Sequence, residues 1–239
     1  RLKSILEAVT RNRFMAIGVG ALLTALIQSS SATSVMTVGF VNAGLISLKQ
    51  AIGVIFGANI GTTITAQIIA FKLDALAYPA IAVGLIVTAL GKKPTVKASG
   101  EAILGFGLLF LGMETMSDVL KPLKHSPEFI NLFRSFDCSP VTAGGMVQPL
   151  PALMCILIGT ITTCVIQSSS ATVGLVLALS SQGLVSFYTA VPLIIGDNIG
   201  TTITALLASI GTNRNARRAA VAHTLFNVFG AIYMYALLF

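Results

Sequence analysis

Charge is what this sequence has least of: Asp, Glu, Lys and Arg make up 10% of 239 residues, against about 25% in an ordinary soluble domain. Tryptophan is absent, and there are only two His and three Cys. Cys138, Cys155 and Cys164 are odd in number, and the last two lie in an apolar run, so neither a disulfide framework nor a metal-ligand spacing appears. The alternating ten-residue pattern of an outer-membrane barrel is missing. So is the charged, apolar and small-residue succession of a signal peptide. The chain opens on Arg1 rather than Met, and it is expected to be a piece of something longer. What remains is apolar: 55% hydrophobic residues and a mean hydropathy of +0.90. Several stretches approach the roughly 20 residues that carry a helix across a bilayer. The expected fold class is an all-α integral membrane protein.

Inside this apolar chain a polar word occurs twice. QSSSAT stands at 28–33 and at 167–172, an offset of 139, and GANIGTTITA at 57–66 matches GDNIGTTITA at 196–205 at the same offset. Without a gap, residues 28–66 give 20 identities in 39 positions, including Gly44 with Gly183 and Ser47 with Ser186. The chain therefore holds two copies of one unit. FGLLFLGMETMSDVL at 106–120 precedes the second copy. Its counterpart would fall before Arg1, so a further helix is expected there.

The apolar segments divide accordingly. Residues 1–98 form the first repeat, with a hairpin over 14–47, a broken helix over 50–71 and a helix over 75–91. Residues 99–239 form the second, with a helix over 99–120, a hairpin over 150–186, a broken helix over 188–210 and a helix over 217–239. The arms 14–28 and 33–47 hold about 15 residues each, roughly 22 Å of helix, and fall short of a hydrocarbon core about 30 Å thick. They fit re-entrant hairpins with QSSSAT at the tip. Irregular backbone at that depth is tolerated only inside protein or beside water, so the tips should meet water or a ligand.

Three crossings separate the hairpins, so the second repeat is expected to be inverted relative to the first. One side then carries Arg1, Lys3, Arg11, Arg13, Lys49, Lys92, Lys93, Lys97, Arg214, Arg217 and Arg218, and the other Lys72, Lys121, Lys124 and Arg134, 11 against 4. By the positive-inside rule the richer side is cytoplasmic. The net charge of +7 is then loop asymmetry, with no nucleic-acid partner implied.

Inverted repeats with interrupted helices are a mark of secondary transporters, which bind their cargo near the midplane. A helix start exposes amide N–H groups and a partial positive charge, suited to an anion. Hydroxyl and amide oxygens also suit a hard cation such as Na+. In the second word Gly57, Gly61, Gly196 and Gly200 are expected to permit unwinding. Beside the gap, Asn59, Thr62, Thr63, Asn198, Thr201 and Thr202 are candidate Na+ ligands, as are Thr33 and Thr172 of QSSSAT. Asp197, where the first copy has Ala58, is a charged residue at membrane depth and joins them, near a Na+ site or in charge balance; the equally weighted alternative is that it caps the following half-helix or sits in a wet vestibule. The competing reading is that Gly, Ser and Thr only pack helices closely. Two identical words at one offset weigh against it.

QSSSAT followed by GANIGTT, and again by GDNIGTT, resembles the duplicated signature of the type II sodium/phosphate cotransporter family, bacterial branch. AVAHTLFNVFG at 220–230 is similar to the His-x-x-x-Asn segment that follows the second repeat there. The resemblance implies Na+-driven import of inorganic phosphate by alternating access, with Gln28, Ser29, Ser30, Ser31, Gln167, Ser168, Ser169 and Ser170 around phosphate. It also implies a multi-pass protein of the bacterial inner membrane, not an enzyme. No cofactor is expected beyond Na+ as co-transported ion. Phosphate, Na+ and lipid are the expected partners, and a homodimer is a possible assembly.

Glu114 and Asp118 read as interfacial, Glu101 as solvated, and His223 more often as a packed polar residue than as a proton relay. A membrane serine hydrolase would need a base beside one nucleophile. The sequence offers His223 alone and no G-x-S-x-G. A passive anion channel and a Na+-coupled carrier of another oxyanion are the closer alternatives.

Overall fold

The structure is a computed structural model, and it describes residues 6, 8–71, 73–140 and 145–238. Arg1, Lys3, Lys72 and Phe239 lie outside the described residues, as does the side chain of Lys124. Helix starts are set by short polar side chains that accept from otherwise orphaned amides. Asn12 accepts from Met15 N and opens α1, Arg13–Ile27. Ser29 accepts from Ala32 N and opens α2, Ser30–Asn42. Ser47 and Gln50 form a reciprocal capping box at the start of α3, Leu48–Ala70. A 3-10 turn leads into α4, Ala77–Leu90, and Pro94 at a first-turn position starts α5, Pro94–Leu120. A short amphipathic helix that the hydropathy pattern does not suggest, α6, spans Pro127–Ser135.

The second copy repeats the first in local detail. Helices α7 (Pro149–Ile166) and α8 (Ser169–Ser181) meet at Gln167, φ 58°, as α1 and α2 meet at Gln28, φ 59°. Both glutamines sit in the left-handed region where non-glycine residues are uncommon, and each donates its amide to a Thr carbonyl at 2.7 Å, Thr24 and Thr163. Gly44 and Gly183 turn the chain with φ 67° and 73°. Next come α9 (Phe187–Gly200), α10 (Ile203–Ala208) and α11 (Arg214–Ala236), the last opened by Asn213.

The expected broken helices are realised in one copy only. Helix α3 runs without interruption through Gly57 and Gly61, whereas α9 and α10 are separated at Thr201 and Thr202. The four glycines serve close approach instead. A Cβ on Gly57 would collide with the carbonyl of Ile17, and one on Gly61 with that of Ala21. Gly196 and Gly200 would likewise strike the carbonyls of Ile156 and Thr160. So α1 lies backbone to backbone on α3, and α7 on α9, the small-residue packing seen between membrane helices.

Among the described residues, five helices are long and apolar enough to cross a membrane: Leu48–Ala70, Pro94–Leu123, Pro149–Ile166, Phe187–Ala208 and Arg214–Ala236. The outer surface is apolar, with Phe14, Leu26, Val165 and Ile210 among its most exposed residues. The interior is small and hydroxylated, with Ala16, Ala51, Ala58, Thr33 and Thr163 fully buried. That distribution suits lipid outside and helix-to-helix hydrogen bonds within. Val38, Val41, Ile55, Ala205, Ala216 and Ala220 bind α2, α3, α10 and α11 into one core.

Candidate functional site

The two QSSS words border one space. A cavity of about 150 Å3 is lined by Gln28, Ser29, Ser30, Ser31, Gln167, Ser168, Ser169 and Ser170, together with Thr62 and Thr65. Every residue of both QSSS words therefore faces one space, and no charged side chain lines it.

The serines divide into two kinds. Ser29 Oγ accepts from Ala32 N at 3.1 Å and Ser168 Oγ from Ala171 N at 3.3 Å, so the first serine of each word caps its helix. Thr33 N and Thr172 N donate to the carbonyls of Ser29 and Ser168, each at 3.1 Å. The hydroxyls of Ser30, Ser31, Ser169 and Ser170 have no hydrogen-bond partner among the described residues, although Ser30 and Ser169 are only 5% and 8% exposed. The first amides of an α-helix have no partner within it. Two helix starts and four hydroxyls without a partner among the described residues thus border one cavity, each start carrying a partial charge of about +0.5.

The glutamines differ. Gln28 Oε1 accepts from Thr65 Oγ1 at 2.6 Å, and its amide nitrogen donates to the Ala25 carbonyl. The Gln167 side chain makes no hydrogen bond among the described residues and is exposed. Thr65 was missed by sequence reasoning, although it belongs to the repeated TTIT run.

The candidate Na+ ligands are not all brought together. Thr62 lines the central cavity. Thr33 lies behind the first tip, where Thr24 Oγ1 donates to Thr33 Oγ1 at 3.0 Å. Thr163 is placed in the same way behind the second tip, 2.9 Å from Thr172 Oγ1 and donating to Asp197 Oδ1 at 2.8 Å. Asp197 is 2% exposed and does not line the cavity. The Thr201 and Thr202 hydroxyls are spent on the carbonyls of Asp197 and Ile199, and Thr63 faces outward, bonded to Ile60 O. Thr24 and Thr163 also escaped notice, although they are the same residue at the same offset of 139.

Asn59 and Asn198 lie elsewhere, with Asn227 in a separate cavity of about 210 Å3 against α11. Asn59 Nδ2 donates to Asn227 Oδ1 at 3.1 Å, Asn227 Nδ2 donates to His223 O at 3.0 Å, and His223 Nε2 lies 3.3 Å from Asn59 Oδ1. His223 is fully buried, as a packed polar residue.

Comparison with known proteins adds the family. The family model described as Na+/Pi-cotransporter matches residues 1–118 and 150–237. The chain is 31% identical over 230 residues to the uncharacterized protein YqeW of Bacillus subtilis, covering 96% of this chain and 71% of that one. It is 30% identical over 232 residues to YjbB of Escherichia coli, whose name provisionally assigns it to inorganic phosphate export; that match covers 97% of this chain and 40% of YjbB. A shorter match, 36% over 94 residues, covers 38% of this chain and 14% of the human sodium-dependent phosphate transport protein 2B. The chain thus spans well under half the length of some of its relatives. No solved structure matches it significantly. Two QSSS words on one cavity, in a chain matched by the family model on either side of residues 119–149, are the observations on which the assignment stands: the chain belongs to the Na+/Pi-cotransporter family.

Proposed function

We propose that this chain carries inorganic phosphate together with Na+ across the bacterial inner membrane, and that phosphate sits in the cavity between the two QSSS tips. The observation that carries this reading is the pair of helix starts with four unpaired hydroxyls on one cavity. Such a site replaces the hydration of an anion with fixed donors.

The charge balance argues for coupling. Two helix starts supply together about +1, and no Lys, Arg or His lines the cavity. Phosphate carries more negative charge than that in its divalent form. Burying uncompensated charge in a low dielectric is costly, so a cation must enter with the anion. Thr62 beside the cavity, and the Thr163, Thr172 and Asp197 cluster behind the second tip, are the oxygens proposed for Na+. Asn59 and Asn198, in their own cavity, have no part in phosphate contact.

Helices α1 and α2, with 15 and 13 residues, reach about 22 and 20 Å. In this reading they form a re-entrant hairpin, α7 and α8 form its inverted counterpart, and alternating access opens the shared cavity to either side in turn. The basic loops face the cytoplasm.

An inward Na+ gradient would drive symport inward, which makes import the first expectation. The name of YjbB favours a second reading, export. Radiolabelled phosphate flux in proteoliposomes of the full-length protein separates them. Accumulation with an inward Na+ gradient and not with an equal K+ gradient is expected. Loss of preloaded phosphate, indifferent to the inward Na+ gradient, would favour export, and equal non-concentrative flux with both cations would indicate a channel.

A further inference from the structure

The two repeats differ at the corner where each hairpin meets the following helix. In the second repeat that corner carries its own anion. Asp137 Oδ1 accepts from Ser186 Oγ at 2.8 Å, Thr189 Oγ1 at 2.7 Å and Ser139 Oγ at 3.0 Å, at the start of α9. At the offset of 139, Leu150, Ala152 and Tyr188 stand where the first repeat has Arg11, Arg13 and Lys49. The first corner has the opposite inventory. A cavity of about 380 Å3 is lined there by Arg11, Arg13 and Lys49 with neutral Ser47 and Gln50, and no acid lines it among the described residues. Gln50 Oε1 accepts from Ser47 Oγ at 2.7 Å, so the cap serine of the first corner donates to a neutral amide and that of the second to a carboxylate. None of the three cations forms an ion pair among the described residues.

Two of these cations sit where a helix least favours them. Arg13 is the first residue of α1 and Lys49 the second of α3, and positive charge at a helix N-terminus opposes the macrodipole. Three like charges around one cavity repel each other as well. An anion in the cavity would offset both effects.

We infer that the Arg11, Arg13 and Lys49 corner is a binding site for a phosphate oxyanion, distinct from the cavity between the QSSS tips and independent of the transport reading. Guanidinium groups pair with phosphate oxygens in bidentate fashion, and Lys49 adds a point charge. The same chemistry is offered by the headgroup of an anionic phospholipid and by free inorganic phosphate.

The test uses the full-length protein in detergent. Thermal-shift titrations are run with phosphatidylglycerol, with phosphatidylcholine and with inorganic phosphate, on wild type, K49Q, R11Q/R13Q/K49Q and R217Q/R218Q. Saturable stabilisation by phosphatidylglycerol, weakened tenfold or more in the triple variant, several-fold in K49Q and not in R217Q/R218Q, identifies a lipid headgroup site. The same pattern with inorganic phosphate alone identifies a free-phosphate site, and any response from the central cavity survives in the triple variant. Equal titrations for wild type and K49Q, or equal weakening in R217Q/R218Q, overturn the inference. K49Q decides if the triple variant does not fold.

Discussion

Ser29 and Ser30 are neighbours with the same side chain and different duties. Ser29 spends its hydroxyl on Ala32 N, while Ser30 Oγ is left to the cavity. Gln28 is held by Thr65, whose hydroxyl donates to Oε1 at 2.6 Å. In the T65V variant this hydrogen bond is lost and Gln28 is freed. A net hydrogen bond is worth about 0.5–1.5 kcal/mol, so KM for phosphate should rise about two- to tenfold, with normal membrane insertion. An unchanged KM in proteoliposome uptake would remove Gln28 orientation from the site. Thr65 was illegible in the sequence because an unwound helix was expected there, which discards helical phase. In the continuous α3, Thr62 and Thr65 stand three residues apart on one face toward the cavity, while Asn59 and Thr63 share another.

Elements show where local sequence was a sufficient guide and where packing decided. Each QSSS word carries its own helix stop and start, a left-handed Gln followed by a Ser cap. The helix break was not legible in the sequence. Glycine signals both unwinding and close approach, and only the neighbouring helix distinguishes them: Ile17 and Ala21 carbonyls lie against Gly57 and Gly61. The identical GTTIT runs continue in α3 and break after α9, so local sequence alone does not set that difference. The anchoring of the start of α9 by Asp137 was also hidden, since that acceptor lies 49 residues before Ser186.

Burial alone would raise the pKa of Asp137. The hydroxyls of Thr189, Ser186 and Ser139, with the Ser139 amide, outweigh burial and hold the carboxyl below its usual range. A depressed folded pKa gives stability that is present above the unfolded value of about 3.9 and lost as pH falls through the folded value. The wild-type protein should therefore lose thermal stability in detergent as pH drops below about 4. D137N should be less stable at neutral pH, by about 1 kcal/mol after allowance for solvent access, and should lack this part of the acid loss. Parallel pH profiles of wild type and D137N would remove Asp137 as the stabilising cap.

At the scale of the whole molecule, the all-helical class, the doubled unit and the apolar exterior were legible because composition and an ungapped repeat report them directly. What no single stretch could report was which polar residues would share a space. Sequence distance separates Ser30 from Ser169 by 139 residues, and only the packing of α2 and α8 beside α3 brings both words to one cavity. The same packing sends Asn59 and Asn198 to a different cavity although they belong to the second repeated word.

The central claim is that one phosphate is held by both tips at once. It is tested most directly by Na+-dependent phosphate uptake, at varied phosphate concentration, in proteoliposomes containing wild type, S30A, S169A and the double variant. A hydrogen bond to a charged group is worth about 1.5–3 kcal/mol, so each single variant should raise KM about tenfold or more with its protein still inserted. Unchanged KM in both, or a loss confined to one copy, would contradict a site shared between the two repeats.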